Sequence, residues 1–422
     1  MSDKFIVRTN CRMCDSTDLE LALPLVSLPI GDRYVPAAQK EETTETFPMQ
    51  VKICRKCGHL QNSGFIKPEF IYKHYLSRPA TTNPVLSNAY KDYADYLLAH
   101  FRDLDHPFAV ESGSNDGAFS KYFQDLGLRV LGIEPSPNLS KQANDCGIPT
   151  LQNYFTCDLA KTIKGEYGEA NFFVANHMFA NVDDSADFIK GVKHLLSPKG
   201  IFAMQTFYQV DVLQKNLIEN FTHEHLSYFN IKPYKNFLAR HGMELFDVQR
   251  VPAKGGSIRC FAQHAGGPYE VKPSVQELVD LEEKLSAQKA ETYQKTLDFI
   301  ADTKSKFHAL LDPISEQGKL IAGFGTSIGA TTFVYQYNLG NLINFFVDDD
   351  PYRHNLVSPG YHIPVLPSKE IYEKKPDYVI ILAPLYADII MKKNQEYLKQ
   401  GGKFLLFWPE FKVIEEAAAF IR

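Results

Sequence analysis

Short apolar runs alternate with helix-like patterns twice along this chain of 422 residues, and this alternation constrains the fold more than any other feature. Alternating strands and helices are typical of parallel sheets whose strands are joined by right-handed helical crossovers. The sequence therefore predicts an α/β protein with two doubly wound, Rossmann-like units. The predicted strands of the first unit lie at 107–111, 128–134, 170–175 and 200–205, and those of the second at 318–323, 342–348, 377–383 and 402–408.

A small β-rich segment precedes the two units, and one long helix over 275–311 is predicted at the start of the second. That tract contains neither Gly nor Pro, the residues that most often end a helix. A length of about 150 residues per domain gives about three domains for the whole chain. We therefore expect domains at 1–75, 76–265 and 266–422.

Four of the seven cysteines form two C-x₂-C pairs, Cys11 with Cys14 and Cys54 with Cys57. Each pair offers two thiolates from one tight turn, and two such turns supply the four tetrahedral ligands that Zn²⁺ prefers. A closed site of this kind adds folding energy but leaves no open position for catalysis. The sequence predicts a structural zinc in the first segment; the alternative is a set of unrelated reduced cysteines.

Composition excludes several classes of protein. The hydrophobic fraction of 44% is ordinary for a globular chain, and the net charge of −5 argues against a broad nucleic-acid surface. The N-terminus lacks the apolar stretch of a signal peptide, and no apolar run is long enough to span a bilayer. We expect a cytoplasmic protein, a monomer or weak dimer, that acts on a small molecule and binds neither nucleic acid nor membranes.

A polar turn that runs from Glu111 to Gly117 follows the first strand of the first unit. Its glycines let the backbone approach a ligand, but their spacing lacks the glycine that admits a pyrophosphate. Glu134 ends the next strand, where a carboxylate can accept both hydroxyls of a ribose. An adenosine ligand without phosphate points to S-adenosylmethionine, with a generic strand–helix turn as the alternative. The residues predicted to contact this cofactor are Glu111, Gly113, Ser114, Asn115, Asp116, Gly117, Glu134, Pro135, Asn176 and His177.

The densest titratable cluster of the chain is His223-Glu224-His225, which follows the fourth predicted strand. Open α/β sheets bind their ligands beyond the carboxyl ends of the strands, so this segment lies where a ligand is expected. The spacing does not suit a zinc-binding helix, whereas a histidine beside a carboxylate suits general acid–base work near neutral pH. A loop with structurally satisfied histidines is the alternative.

Together these motifs resemble the nucleotide-sugar C-methyltransferases, and most closely the TDP-sugar 3-C-methyltransferase group. The resemblance rests on the two cysteine pairs, on V-E-S-G-S-N-D-G at 110–117, on H-E-H-L-S-Y-F at 223–229 and on G-G-S-I-R at 255–259. It implies a zinc module, a class I methyltransferase domain and a C-terminal Rossmann-like domain that helps to hold a nucleotide sugar. It also implies that a base on the H-E-H segment, here Glu224 and His225, removes a proton next to a C4 ketone before methyl transfer.

The resemblance further implies a substrate site. Asn181 and Thr222 replace a histidine and a tyrosine that are frequent in the family, so O- or N-methylation of another acceptor is an alternative function. A non-catalytic protein that keeps the cofactor pocket is a third. The positions expected to contact the substrate are Tyr72, Tyr75, Asn181, Thr222, His223, Gly256, Ser257, Arg259, Gly323 and Gly325.

Two of these substrate predictions also follow from the residues themselves. The turn from Gly323 to Gly329 in the second unit is compatible with a nucleotide diphosphate, although a purely structural turn explains it as well. Arg259 follows a Gly-Gly-Ser turn and could bind a phosphate through two parallel hydrogen bonds, with a surface arginine as the alternative; Lys254 is a weaker candidate for the same role.

Overall fold

The computed structural model describes residues 3–72, 84–99 and 107–416. The N-terminal unit is β-rich, as the sequence predicts. Strands β2, β4 and β5 form an antiparallel sheet, and β1 pairs with β6. Its elements are β1 (Phe5–Val7), β2 (Leu19–Leu28), β3 (Val35–Pro36), β4 (Phe47–Cys54), β5 (Leu60–Asn62), β6 (Gly64–Ile66) and α1 (Pro68–Ile71).

The second unit is built on a seven-stranded sheet with the order β13-β14-β11-β10-β7-β8-β9, in which β14 runs antiparallel to its neighbours. This order is that of the class I methyltransferases, so the predicted fold is confirmed. The elements are α2 (Pro84–Leu98), β7 (Phe108–Ser112), α3 (Ala118–Asp125), β8 (Arg129–Ile133), α4 (Pro137–Asp145), β9 (Thr150–Leu151), α5 (Cys157–Tyr167), β10 (Ala170–Asn176), α6 (Ser185–Leu195), β11 (Leu196–Phe207), α7 (Gln209–Lys215), β12 (Ser227–Tyr228), α8 (Ile231–Arg240), β13 (Met243–Val251) and β14 (Ser257–His264).

The third unit has a six-stranded sheet with the order β18-β16-β15-β19-β20-β21, parallel except for its last strand. It is the second Rossmann-like unit that the sequence predicts. The elements are α9 (Pro273–Lys284), α10 (Gln294–Glu316), β15 (Ile321–Phe324), α11 (Ile328–Gln336), β16 (Phe345–Asp348), β17 (Leu356–Val357), β18 (Val365–Pro367), α12 (Glu370–Lys374), β19 (Tyr378–Ile381), α13 (Ala387–Lys393), α14 (Gln395–Lys399), β20 (Lys403–Leu406) and β21 (Lys412–Ile414).

The prediction of a single helix over 275–311 is wrong. The structure has two helices there, α9 and α10, separated by a turn. Ser286 in that turn has a φ of 52°, a left-handed conformation that interrupts the helical hydrogen bonds. The turn packs against the second cysteine pair: a Cβ atom at Gly58 would lie 2.6 Å from Cβ of Gln288. Tertiary packing on the N-terminal unit therefore accompanies a break that local sequence does not signal.

The N-terminal unit is joined to both other units by strand pairing and by a shared core. Strand β12, which directly follows the H-E-H segment, pairs with β5, and β17 of the third unit pairs with β3. One apolar cluster includes Leu23, Phe221 and Phe333, one residue from each unit. The three units thus form one packed body around the H-E-H segment. Within the described ranges, no helix combines the length and apolar character needed to cross a membrane.

Candidate active site

A cavity of about 410 Å³ opens at the carboxyl ends of β7, β8 and β10, where the sheet topology predicts a ligand. It brings together most of the predicted cofactor residues and two of the predicted substrate residues. The predicted residues that line it are Tyr72, Glu111, Gly113, Ser114, Asn115, Asp116, Glu134, Pro135, Asn176, His177 and Asn181.

The turn after β7 owes its shape to three residues with positive φ, Gly113 at 72°, Asn115 at 54° and Gly117 at 79°. A Cβ atom at Gly113 would lie 2.8 Å from Cβ of Met178, so this position has no room for a side chain. Gly117 lies just outside the cavity lining and precedes the first turn of α3. The turn thus exposes backbone to the cavity because its glycines allow a conformation that other residues rarely adopt.

Glu134 is held rigidly at the cavity wall. One carboxylate oxygen accepts a hydrogen bond from the Asn115 amide at 3.0 Å, and the other accepts from the Ser136 amide at 2.9 Å. Each oxygen keeps a second lone pair, so the carboxylate can still accept bonds from two hydroxyl groups. This geometry suits the predicted contact with a ribose.

Glu111 lies at the floor of the cavity and is only 4% exposed. It accepts hydrogen bonds from Ser120 Oγ at 2.7 Å and from Asn176 Nδ2 at 3.4 Å. Burial raises the pKa of the Glu111 carboxyl to about 8. A cationic ligand group beside it would favour the ionised form, which is what the ammonium of S-adenosylmethionine offers.

His225 does not line this cavity. Its ring is 5.1 Å from the ring of Phe207, which is in turn 5.0 Å from the ring of the lining residue His177. The Nδ1 atom of His225 donates a hydrogen bond of 2.7 Å to the carbonyl of Asn220, so the neutral ring carries its proton there. Within the described ranges Nε2 has no hydrogen-bond partner and keeps a free lone pair. Burial lowers the pKa of His225 to about 4, so the ring is neutral at pH 7.

The other residues of the H-E-H segment have different surroundings. Glu224 is 6% exposed, one of its oxygens has no hydrogen-bond partner, and burial raises the pKa of its carboxyl to about 8. Thr222 Oγ1 is likewise buried without a partner. His223, in contrast, points away from the cavity and donates from Nε2 to the carbonyls of Phe47 and Pro48, at 3.2 and 3.3 Å. The structure thus gives His223 a contact with the N-terminal unit instead of the predicted substrate contact.

The four cysteines of the N-terminal unit converge. Their sulfur atoms all lie within 4.8 Å of one another, with 3.6 Å between those of Cys11 and Cys57 and 3.5 Å between those of Cys14 and Cys54. Four thiolates bound tetrahedrally at about 2.3 Å from Zn²⁺ would be separated by about 3.8 Å. The cluster therefore fits a zinc ion, which these four side chains would hold without an open position.

Residues next to these cysteines hold the H-E-H segment. The buried guanidinium of Arg12 donates from Nη1 to the Leu226 carbonyl at 3.1 Å and to the Asn62 carbonyl at 2.7 Å, and it pairs with Asp183. His59 Nε2 lies 3.1 Å from Ser227 Oγ. Both contacts fall within two residues of His225 along the chain, so the cysteine module positions the predicted base.

Arg259 has contacts other than the predicted phosphate. Its Nε donates to Gln205 Oε1 at 2.6 Å, and its guanidinium lies 4.3 Å from the ring centroid of Tyr93. This bond orients the Gln205 amide so that its Nε2 donates to His177 Nε2, 3.1 Å away. Arg259 thus fixes, through Gln205, the tautomer of a cavity-lining histidine.

The remaining glycine predictions lie away from the cavity. A Cβ atom at Gly256 would lie 2.4 Å from Cβ of Asp211, and Ser257 Oγ donates to the Ala253 carbonyl. Gly323 lies inside β15, where a Cβ atom would contact Phe346 at 2.6 Å.

The amide of Gly325 donates to the Val347 carbonyl and that of Thr326 to Asp348, so the chain itself satisfies both donors. These two amides of the second glycine turn are therefore not available to a nucleotide diphosphate in this conformation.

Tyr72 and Asn181 meet in the cavity wall, where Asn181 Nδ2 donates to the Tyr72 hydroxyl at 3.0 Å. The predicted partner Tyr75 lies outside the described residues. Several lining residues were not predicted as site residues: Tyr90, Asn153, Tyr154, Phe155 and Met178. The residues at 153–155 follow β9, whose two residues give no periodic signal. Lys254, which the sequence indicated only as a weaker phosphate candidate, also lines the cavity.

Three family models match the chain in the order of its three units. A zinc binding domain matches residues 11–72, a methyltransferase domain matches residues 86–248, and a C-methyltransferase C-terminal domain matches residues 252–409. All three units of the chain therefore resemble those of the C-methyltransferases. The chain is an S-adenosylmethionine-dependent methyltransferase, as the sequence predicts.

Individual relatives were also found. The C-methyltransferase NovU of Streptomyces niveus is 29% identical over 405 residues, which are 96% of each protein. Among solved structures, the CcbJ methyltransferase of Streptomyces caelestis is 15% identical and covers 45% of this chain and 94% of its own, with a TM-score of 0.34. An S-adenosylmethionine-dependent methyltransferase of Clostridium acetobutylicum is 10% identical, with 43% and 92% covered and a TM-score of 0.35. The assignment rests on the family models and on NovU.

Proposed function

We propose that this C-methyltransferase adds a methyl branch to a carbon next to the C4 ketone of a nucleotide-linked deoxysugar. The observation that carries the proposal is the state of His225, whose Nδ1 proton is bound by the Asn220 carbonyl and whose Nε2 lone pair is free. A carbon acceptor must lose a proton before it can attack a methyl group, so carbon methylation needs such a base.

The cavity residues then divide between binding and proton transfer. S-adenosylmethionine, when bound, supplies an electrophilic methyl group. Glu111 and Asp116 would hold its ammonium, Glu134 would accept the ribose hydroxyls, and the amides of the turn at 113–117 would meet its carboxylate. The four-cysteine cluster would hold a structural zinc that positions Leu226, next to the base.

Charged groups from all three units act on the Glu224 carboxyl. After burial, the groups that shift the pKa of this carboxyl are Asp32, which raises it, and Lys254 and Arg353, which lower it. Lys254 lines the cavity, whereas Arg353 follows β16 and is paired with Asp32 at 2.5 Å.

Methylation of oxygen or nitrogen is the second candidate, because Asn181 and Thr222 offer only neutral groups where relatives often have a histidine and a tyrosine. Both candidates are tested by incubating the purified protein with labelled S-adenosylmethionine and a panel of nucleotide 4-keto-sugars, with products identified by mass spectrometry. Gain of one methyl group on a ketosugar supports the proposal. Transfer only to other acceptors would refute the sugar assignment and retain the methyltransferase.

A further inference from the structure

Lys254 projects into the cofactor cavity from the turn between β13 and β14. It is the one lysine or arginine among the described residues that line this cavity, whereas four of the lining side chains are carboxylates. Its side chain is exposed to solvent and lines the cavity. Lys254 is therefore placed to meet a bound molecule.

The ammonium of Lys254 and the ring of the predicted base, His225, both lie close to the ring of Phe207. The ring centroid of Phe207 is 5.7 Å from Lys254 Nζ, 5.1 Å from the ring of His225 and 5.0 Å from the ring of His177. A small acceptor that contacts Phe207 would thus have a proton acceptor at one edge and a cation at another. That pairing is what removal of a proton next to a carbonyl requires.

The ammonium has no carboxylate within ion-pair distance in the part of the chain that the structure describes. Glu224 is the acidic group that affects it, and it does so only at longer range. Burial lowers the pKa of Lys254 to about 8, and Glu224 opposes this effect. The ammonium is thus charged at pH 7, and its contact with the Phe207 ring leaves it without a carboxylate partner among the described residues.

The backbone of Lys254 itself has an uncommon conformation. Lys254 has φ 51° and ψ 38°, the left-handed region that residues other than glycine rarely occupy. The next residues are fixed as well: Lys215 Nζ donates to the Gly255 carbonyl at 2.6 Å, and Gly256 packs closely on Asp211. Such strain persists where the surrounding structure enforces it, and it is frequent at active sites.

The weak basicity of His225 indicates what the charge of Lys254 could do. A histidine whose pKa is about 4 is a weak base, so the carbon acid must be made more acidic by stabilising the oxyanion that forms. Asn181 and Thr222 are neutral and can offer no full charge. We propose that Lys254 is a catalytic residue that stabilises the enolate oxygen of the acceptor; this inference rests on the proposed carbon methylation.

Proton transfer from the acceptor precedes methyl transfer. The α C–H bond breaks, its proton goes to Nε2 of His225, and its electron pair forms the C=C bond of the enolate while the carbonyl π pair moves to the oxygen beside Lys254. The oxygen then reforms the carbonyl, and the C=C pair forms the new C–CH₃ bond. The methyl–sulfur bond breaks, its pair stays on sulfur, and S-adenosylhomocysteine leaves.

The test compares Lys254→Met with Lys254→Arg, which preserves the charge, and with Lys141→Met, the same change at an exposed lysine on α4. The readouts are methyl transfer to a TDP-linked 4-keto-deoxysugar, exchange of its α proton in D₂O with S-adenosylhomocysteine bound, and affinity for S-adenosylmethionine. Lys254→Met is expected to slow both exchange and transfer by about 100-fold, while affinity stays within about threefold. Lys141→Met is expected to exchange at the rate of the unchanged enzyme, and Lys254→Arg is expected to exchange faster than Lys254→Met because it keeps the positive charge.

The pH profile adds a readout that a structural role would not change. Glu224, His177 and His225 are the titratable groups whose charges interact with Lys254 or lie beside it. As pH rises through about 8 the ammonium loses its proton, so the exchange rate should fall; this fall should be absent in Lys254→Arg, because a guanidinium stays charged. Exchange in Lys254→Met within about threefold of the unchanged enzyme would overturn the inference alone. Absence of transfer to any ketosugar by the unchanged enzyme would overturn both it and the proposed function.

Discussion

Replacing Arg12 by methionine tests whether the cysteine module holds the active-site segment. Arg12 lies between two cysteines of the cluster and is 3% exposed. Its guanidinium donates to the carbonyls of Asn62 and Leu226 and to the carboxylate of Asp183, which lines the cavity. The change keeps an unbranched apolar stem but removes all of these donors together.

The size of the effect follows from what is left unpaired. Removing one partner of a buried ion pair costs about 3–5 kcal/mol. Asp183 is 29% exposed and keeps its ion pair with Arg8 at 2.9 Å, and the Leu226 carbonyl still accepts from the Asn62 amide. We therefore expect the lower end, a loss of about 3 kcal/mol in the free energy of unfolding, or roughly a hundredfold in the equilibrium constant.

Urea unfolding followed by far-ultraviolet circular dichroism, with zinc present, measures this loss. The matched control is Arg55→Met in the same module, where the side chain is 60% exposed and pairs with Glu20; its expected cost is below about 1 kcal/mol. Turnover of Arg12→Met should also fall, by about tenfold, because Leu226 adjoins the base. A stability loss equal to that of Arg55→Met, with unchanged turnover, would refute the positioning role.

Three further predictions follow. Metal analysis should find one zinc per chain, and chelation should abolish turnover together with the contact of the cysteine module with β12; a metal content far below one would refute the four-cysteine site. His225→Asn should lose most turnover while affinity for S-adenosylmethionine is kept, as measured by methyl-transfer rates and calorimetry; unchanged turnover would remove His225 from the mechanism. Affinity for S-adenosylmethionine should increase as pH rises toward 8, because Glu111, whose pKa burial raises to about 8, must lose its proton to hold an ammonium; Glu111→Gln should lower affinity and remove this dependence, and a pH-dependence that persists in Glu111→Gln would contradict the assignment.

The sequence was sufficient to predict the two parallel sheets, because their strands are continuous apolar runs that end in polar turns. Some strands were not predicted, because they depend on contacts that are distant in the sequence. Strand β12 is two residues long and exists because β5 offers it a free edge, a pairing over more than 160 positions that no local pattern contains. The break between α9 and α10 likewise accompanies packing of Gln288 against Gly58, in a tract without helix-ending residues.

For the site, residues at strand ends were predictable and those reached through tertiary contacts were not. Glu111 and Glu134 follow from the position of their strands. The contacts of Arg259 with Gln205 and Tyr93 depend on which residues the sheet order brings beside β14, so the sequence left it as a phosphate candidate. The carbonyls of Phe47 and Pro48, which lie in another unit, set the direction of His223. The two histidines of the H-E-H motif therefore have different surroundings.

The central claim is that a carbon next to a ketone loses its proton and gains the methyl group. It is tested most directly with ¹³C-methyl S-adenosylmethionine and a TDP-linked 4-keto-deoxysugar, with the product analysed by nuclear magnetic resonance. We expect a labelled methyl carbon coupled to a ring carbon that has lost its hydrogen. A labelled methyl group bonded to oxygen or nitrogen, with the α hydrogen retained, would contradict it.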